Sequence, residues 1–143
     1  MDLDTVFSIA GSLAMLGWAA LVLSPLAPRP ALALAGLAIP GALSLGYGVL
    51  IALHWADAPG GFGSLAGVQA LFTAPGLALA GWVHDLAFDL FVGAWIVTRA
   101  RSEGIGHLTI LPTLPLTLCF GPLGLAAFLA LRLARAPLHP GRV

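Results

Sequence analysis

Charge is what this sequence has least of. Of its 143 residues only 8% are charged, against 59% hydrophobic, and the mean hydropathy is +1.01. A soluble domain carries about 25% charged residues. With so few, a water-exposed surface could not be covered, so the chain is expected to be an integral membrane protein whose partner is the lipid bilayer. Formal net charge is zero, and nothing points to nucleic acid. The single cysteine, Cys119, lies in an apolar run and excludes an internal disulfide. The opening "MDLDTVFSIAG" has acidic residues where a signal peptide needs basic ones, so the first apolar run is expected to be a retained span. The sequence has no H-E-x-x-H, C-x-x-C or C-x-x-C-H motif, no motif for a serine or cysteine nucleophile, no internal repeat and no second domain. A metal is therefore not expected, and haem, which scattered histidines could ligate, is left open without support. Lack of repeated halves makes a small proton-coupled transporter the weakest functional class.

What is abundant fits a bilayer. Glycine (18) and proline (11) are tolerated in membrane helices far better than in soluble ones. A spanning helix needs about 20 mostly apolar residues. The pattern predicts an all-α fold, one transmembrane domain over residues 1–143 with four spans, at about 6–26, 31–53, 76–100 and 108–133. Prolines in "SPLAPRP" close the first span. Pro40-Gly41 predicts a kink in the second, and Pro75 suits the first turn of the third. Between them, Ser64 can cap a short interfacial helix on which Leu65, Val68, Leu71 and Phe72 recur at helical spacing. In a four-span arrangement Arg29, Arg99 and Arg101 fall on one side and Arg132, Arg135 and Arg142 on the other. The positive-inside rule then ties, and only the acidic start favours an outside amino terminus.

One span is chemically anomalous. "GWVHDLAFDLFVGAWIV", residues 81–97, carries His84, Asp85 and Asp89. Asp89 falls within about one turn of the span's midpoint, where an aspartate costs roughly 2.5–3.5 kcal/mol on insertion scales. Such residues face the bundle interior and find partners there. Asp85 and Asp89 differ by only about 40° around the helix and share a stripe with Trp82 and Gly93, whereas His84 lies about 140° from Asp89, with Phe88 and Trp95. His84 and Asp89 cannot easily pair along one helix. Each is expected to seek a partner elsewhere, the candidates being Ser44, Tyr47, His54, Thr113 and Thr117. Two carboxylates one turn apart can share a proton; the plainer role is to pin helices together, each hydrogen bond contributing about 1 kcal/mol. For Asp89 the depth favours function. Trp55 and His54 suit an interfacial belt, His107 an interfacial start to the fourth span, and Arg99, Arg101 and Glu103 a solvated loop in contact with headgroups. "FGPLG", residues 120–124, predicts a kink or a close backbone approach.

Taken in order, "GWVHDLAFDLFVGAWIV", "GIGHL", "LPLTLCFGPLGL" and a closing Arg132 resemble bacterial homologues of the plant abscisic-acid-deficient-four family. The likeness is strongest from Ser64 to Arg132. Matching positions are Gly81, Trp82, His84, Asp89, Leu90, Phe91, His107, Pro122 and Gly124, while Asp85 departs from the family pattern. The plant members are plastid membrane proteins required to make neoxanthin from violaxanthin. The resemblance implies a protein of carotenoid or related isoprenoid metabolism, in a bacterial inner or photosynthetic membrane. That conversion is an isomerisation of an epoxide to an allenic alcohol; it needs an acid and a base and no redox cofactor. His84 and Asp89 are the candidate acid–base pair. Trp82, Asp85, Phe88, Trp95, His107, Gly121 and Pro122 are the candidate contacts to a carotenoid-like or other polyisoprenoid ligand. The rival expectation is a non-catalytic subunit of a larger membrane pigment-protein complex, which would suit a small chain rich in glycine and alanine.

Overall fold

The computed structural model describes residues 2–135, and these are all-helical. Helix α1, Leu3–Val22, is capped by Asp2, whose carboxylate accepts from the Asp4 and Thr5 amides. A turn through residues 23–27 leads to α2, Pro28–His54. Its early part is a π-helical stretch, Leu34–Ala38, in which the Ile39 amide donates to the Leu34 carbonyl. Pro40 follows directly. Its ring cannot donate and crowds the carbonyl four residues back, so the expected kink takes the form of a widened turn just ahead of it. The short helix α3, Leu65–Leu71, starts where expected, with Ser64 accepting from the Gly67 amide. Helix α4, Pro75–Ser102, opens on its first-turn proline.

Helices α1, α2 and α4 are long and apolar enough to cross a membrane. Central among them is α4, which touches α1, α2 and everything after it. Ala80, Val83, Ala87, Leu90, Ala94 and Val97 alternate in steps of three and four along its buried stripe, the spacing of a helix seated in a bundle. In a bilayer burial gains nothing over lipid contact, so close packing has to hold the helices. Small residues on α4 allow it: the Trp18 ring of α1 lies where a side chain on Gly93 would be.

The fourth span is a correction. Instead of one helix there are two: α5, His107–Phe120, broken at Leu111-Pro112, and α6, Pro122–Arg135. Pro112 and Pro115 remove amide donors. The Leu114 amide shifts to the Leu111 carbonyl, and the Thr113 hydroxyl serves the Ile110 carbonyl. Gly121, at φ 45° and ψ −97°, then turns the chain through a conformation that side chains rarely adopt. Beyond it α6 folds back onto α5 so closely that a Cβ on Gly124 would overlap Thr117.

The direction of α6 follows from its contacts with α4. Gly121 faces Asp89, Phe128 packs edge-on against Trp95 with ring centroids 5.8 Å apart, and Arg132 pairs with Glu103. The arm therefore climbs α4 from its midpoint to its end. Meanwhile α5 starts at that same end, where His107 Nε2 lies 3.0 Å from the Val22 carbonyl. Helices α5 and α6 form a hairpin that enters and leaves at one end of the bundle.

Candidate functional site

Because the hairpin reaches only to the middle of α4, it covers half of that helix's outer face. Below its tip the other half lies open. There a cavity of about 580 Å³ is lined by Trp82, Asp85, Leu86 and Asp89 of α4 and by Leu118, Cys119, Phe120, Gly121 and Pro122 of the tip. Its walls are mainly apolar, and the two carboxylates are its charged groups. Asp89 is half-buried beside the Gly121 turn, and the Asp85 side chain is 70% exposed. A slot of this size with few directed polar groups is what a small apolar ligand requires.

The turn and the carboxylate fit each other. A Cβ built on Gly121 would lie 2.7 Å from Asp89 Oδ1. The turn needs glycine twice over, for its positive φ and for the room Asp89 takes up.

Trp82, Asp85, Asp89, Gly121 and Pro122 therefore converge from among the candidates. Trp82 is held by stacking on Phe7 of α1, at 5.7 Å between centroids. The others lie elsewhere. His84 points to a different pocket of about 240 Å³, between α2, α3 and α4, which it shares with Tyr47, Trp55, Phe62 and Phe72. Phe88 lies against the His84 ring at 4.6 Å, outside the slot. Trp95 packs on Phe128 higher up α4. His107 is at the end of the bundle, tied to α1.

The helical-wheel separation of His84 from Asp89 thus reappears as two pockets on opposite sides of α4. What comes between them is Asp85: His84 Nδ1 lies 3.4 Å from Asp85 Oδ1, longer than a good hydrogen bond. Of the suggested partners, Tyr47 meets the His84 ring at 5.8 Å, whereas His54 lies against Gly76 and Ser44 is exposed. Thr113 and Thr117 turn their hydroxyls to backbone carbonyls of their own helix. Among the described residues no group of three or more His, Cys, Asp or Glu side chains is placed to hold a metal ion.

One pair was not legible in the sequence. Glu103 accepts from Arg132 Nε at 2.8 Å and Nη2 at 2.5 Å, and Arg99 Nε lies 2.6 Å away. This two-pronged contact clasps the end of α6 to the end of α4 and holds the Glu103 carboxyl below its ordinary range. Spacing gives no sign of it, because the partners are 29 residues apart.

The sequence matches the family model described as ABA DEFICIENT 4-like over residues 5–128. That stretch runs from Thr5 in α1 through α5 and the Gly121 turn to Phe128 in α6. No curated protein and no solved structure matches it.

Proposed function

The chain belongs to the ABA DEFICIENT 4-like family, and from that premise we propose that it is a membrane protein of carotenoid or related isoprenoid metabolism whose ligand occupies the slot beneath the hairpin tip. One observation carries the reading: the two carboxylates at the middle of α4 both line the wall of an apolar cavity, Asp89 half-buried beside the Gly121 turn and Asp85 open. Aspartates that only pinned helices would be hydrogen-bonded across an interface. Asp85 instead stands open, near the middle of a helix long enough to span a membrane. An uncovered charged group at that depth is costly, and a bound molecule with an oxygen function would engage it.

The proposed chemistry is acid–base isomerisation of such a ligand. A carboxylic acid donates its proton to an epoxide oxygen as the C–O bond opens, and the C–O electron pair stays with the oxygen. A carboxylate removes a proton from the neighbouring polyene carbon, whose C–H pair becomes part of the new double bonds. The proton count balances and no electrons leave the substrate. Asp89, beside the Gly121 turn, and Asp85, one turn away, are the pair within reach of one ligand. His84 faces the other pocket, where it can influence Asp85 but does not meet Asp89. The assignment thus shifts from His84 with Asp89 to Asp85 with Asp89, and because Asp85 departs from the family pattern the pairing is proposed for this chain and not for the family.

Pigment extracts of a violaxanthin-producing host test this directly. With the native chain a new isomer of unchanged mass should appear. Asp89→Asn should abolish it while leaving the protein folded, and His84→Ala should reduce it less. If Asp89→Asn converts substrate as well as the native chain does, the reading fails.

The exposed Asp85 also favours a second reading, in which a helix of a larger membrane complex fills the slot and the protein catalyses nothing. Co-purification of a stoichiometric partner, lost on Asp85→Leu with pigments unchanged, would decide for it.

A further inference from the structure

The hairpin decides where the charges go. Had residues 108–133 crossed as one helix, Arg132 and Arg135 would lie opposite Arg29, Arg99 and Arg101. Because α6 turns back, Arg132 meets Glu103 at the end of α4, and Arg135 lies one turn further on. Arg29 opens α2 beside the end of α1. All arginines among the described residues are therefore at one end of the bundle, and the sequence has no lysine. Glu103, already engaged by two arginines, is the carboxylate they share that end with. The opposite end carries Asp2 and Asp4 at the start of α1 and Asp57 after α2.

We infer that the arginine-bearing end is a docking surface for anionic phospholipid headgroups, and that it fixes the chain with its aspartate-bearing end on the far side of the bilayer. The inference rests on the reading of α1, α2 and α4 as membrane spans. Arg29, Arg99, Arg101 and Arg135 are exposed, and they come from α2, α4 and α6. They are spread over three helices at that end rather than borne by one. That arrangement suits a sheet of headgroups surrounding the protein, to which long guanidinium side chains can reach from helix ends. The positive-inside tie of a four-span chain is thereby broken. The arginine end faces the compartment from which the chain is inserted, and the hairpin is re-entrant from that side.

Two measurements test it. Single cysteines placed by Ala56→Cys, Ser102→Cys or Ala134→Cys in a Cys119→Ser background are labelled with an impermeant maleimide in membranes of known sidedness. Positions 102 and 134 should react together from the insertion side, and position 56 from the opposite side. Reaction of 134 together with 56 overturns the inference. So does labelling of 102 from the far side. Release of the protein by an alkaline carbonate wash would instead show that the membrane reading itself had failed.

In vesicles of phosphatidylcholine and phosphatidylglycerol, spin-labelled phosphatidylglycerol should be restricted over phosphatidylcholine by roughly fivefold, the preference expected of about one effective arginine near the surface. The preference should fall in Arg29→Gln/Arg101→Gln/Arg135→Gln and in high salt. Equal restriction of the two lipids contradicts the docking surface.

Discussion

At the scale of single residues, Asp89 and Gly121 are best understood as one feature. The turn has room for a carboxylate because it has no side chain, and the carboxylate is half-buried because the turn lies over it. Gly121→Ala should be damaging on both counts: a side chain at this φ and ψ costs about 1–3 kcal/mol, and the added Cβ must displace Asp89. A lower thermal midpoint in mild detergent, with the remaining folded protein losing any ligand, is the expected result. Asp89→Asn should do the reverse. It preserves shape and removes a carboxyl that no arginine among the described residues meets, so the thermal midpoint should hold or rise while turnover is lost, the usual exchange of stability for function at an active carboxylate. A lower midpoint on Asp89→Asn would make Asp89 a structural group. The sequence alone was informative here: depth along the span singled out Asp89, and helical angle separated it from His84. Helical angle also put Asp85 between them, about 100° from His84 and 40° from Asp89; it could not say which pocket Asp85 would line or that His107 is tied to α1, because those facts depend on which helix covers which face.

At the scale of elements, the hairpin is what distinguishes this chain from a plain bundle. Its parts were visible in "LPTLPLTLCFGPLGL", residues 111–125, as prolines and glycines. Whether they bend a spanning helix or reverse it could not be read from composition, since membrane helices tolerate proline. Reversal is determined by tertiary contacts at positions far apart in sequence: Gly124 against Thr117, Phe128 against Trp95, and Arg132 against Glu103.

The last of these gives the hairpin a pH dependence. Glu103 has its folded pKa below the ordinary 4.5, chiefly because Arg132 donates to it, with the charges of Arg132 and Arg99 adding to the effect. A lowered carboxyl favours the folded state above its unfolded value, and that contribution disappears as pH falls through the lower folded one. The clasp should therefore be fully effective above about pH 4.5 and weaken below it. Thermal midpoints of native protein and Glu103→Gln, followed against pH, should differ above that value and converge under acid. A constant difference down to low pH would mean that the clasp does not depend on ionised Glu103. Exposed ion pairs contribute little on average; this one combines two-pronged geometry with a second arginine, and its effect should be local, seen first as faster hydrogen exchange in α6.

At the scale of the whole molecule, the three long helices, the short capped helix and the proline-opened α4 could all be anticipated from hydropathy and capping residues. Orientation could not, because four spans divide the arginines evenly. Arg142, counted in that tie, lies outside the described residues. The fold accounts for slot and charge asymmetry together: by reaching only halfway and turning back, the hairpin leaves a cavity over Asp85 and Asp89 and returns Arg132 and Arg135 to the end that holds Arg99 and Arg101. A straight fourth helix would fill the cavity and divide the charge.

The most direct test is therefore a pair of distances. With spin labels at positions 102 and 134, and separately at 56 and 134, pulsed dipolar spectroscopy in detergent or bilayer compares the two ends of the bundle. The hairpin requires a short first distance, under about 20 Å, and a second approaching the length of α4, about 40 Å at 1.5 Å per residue. A long first distance with a short second one would mean that residues 107–135 cross as a single span, with no slot beneath a tip and no shared arginine end.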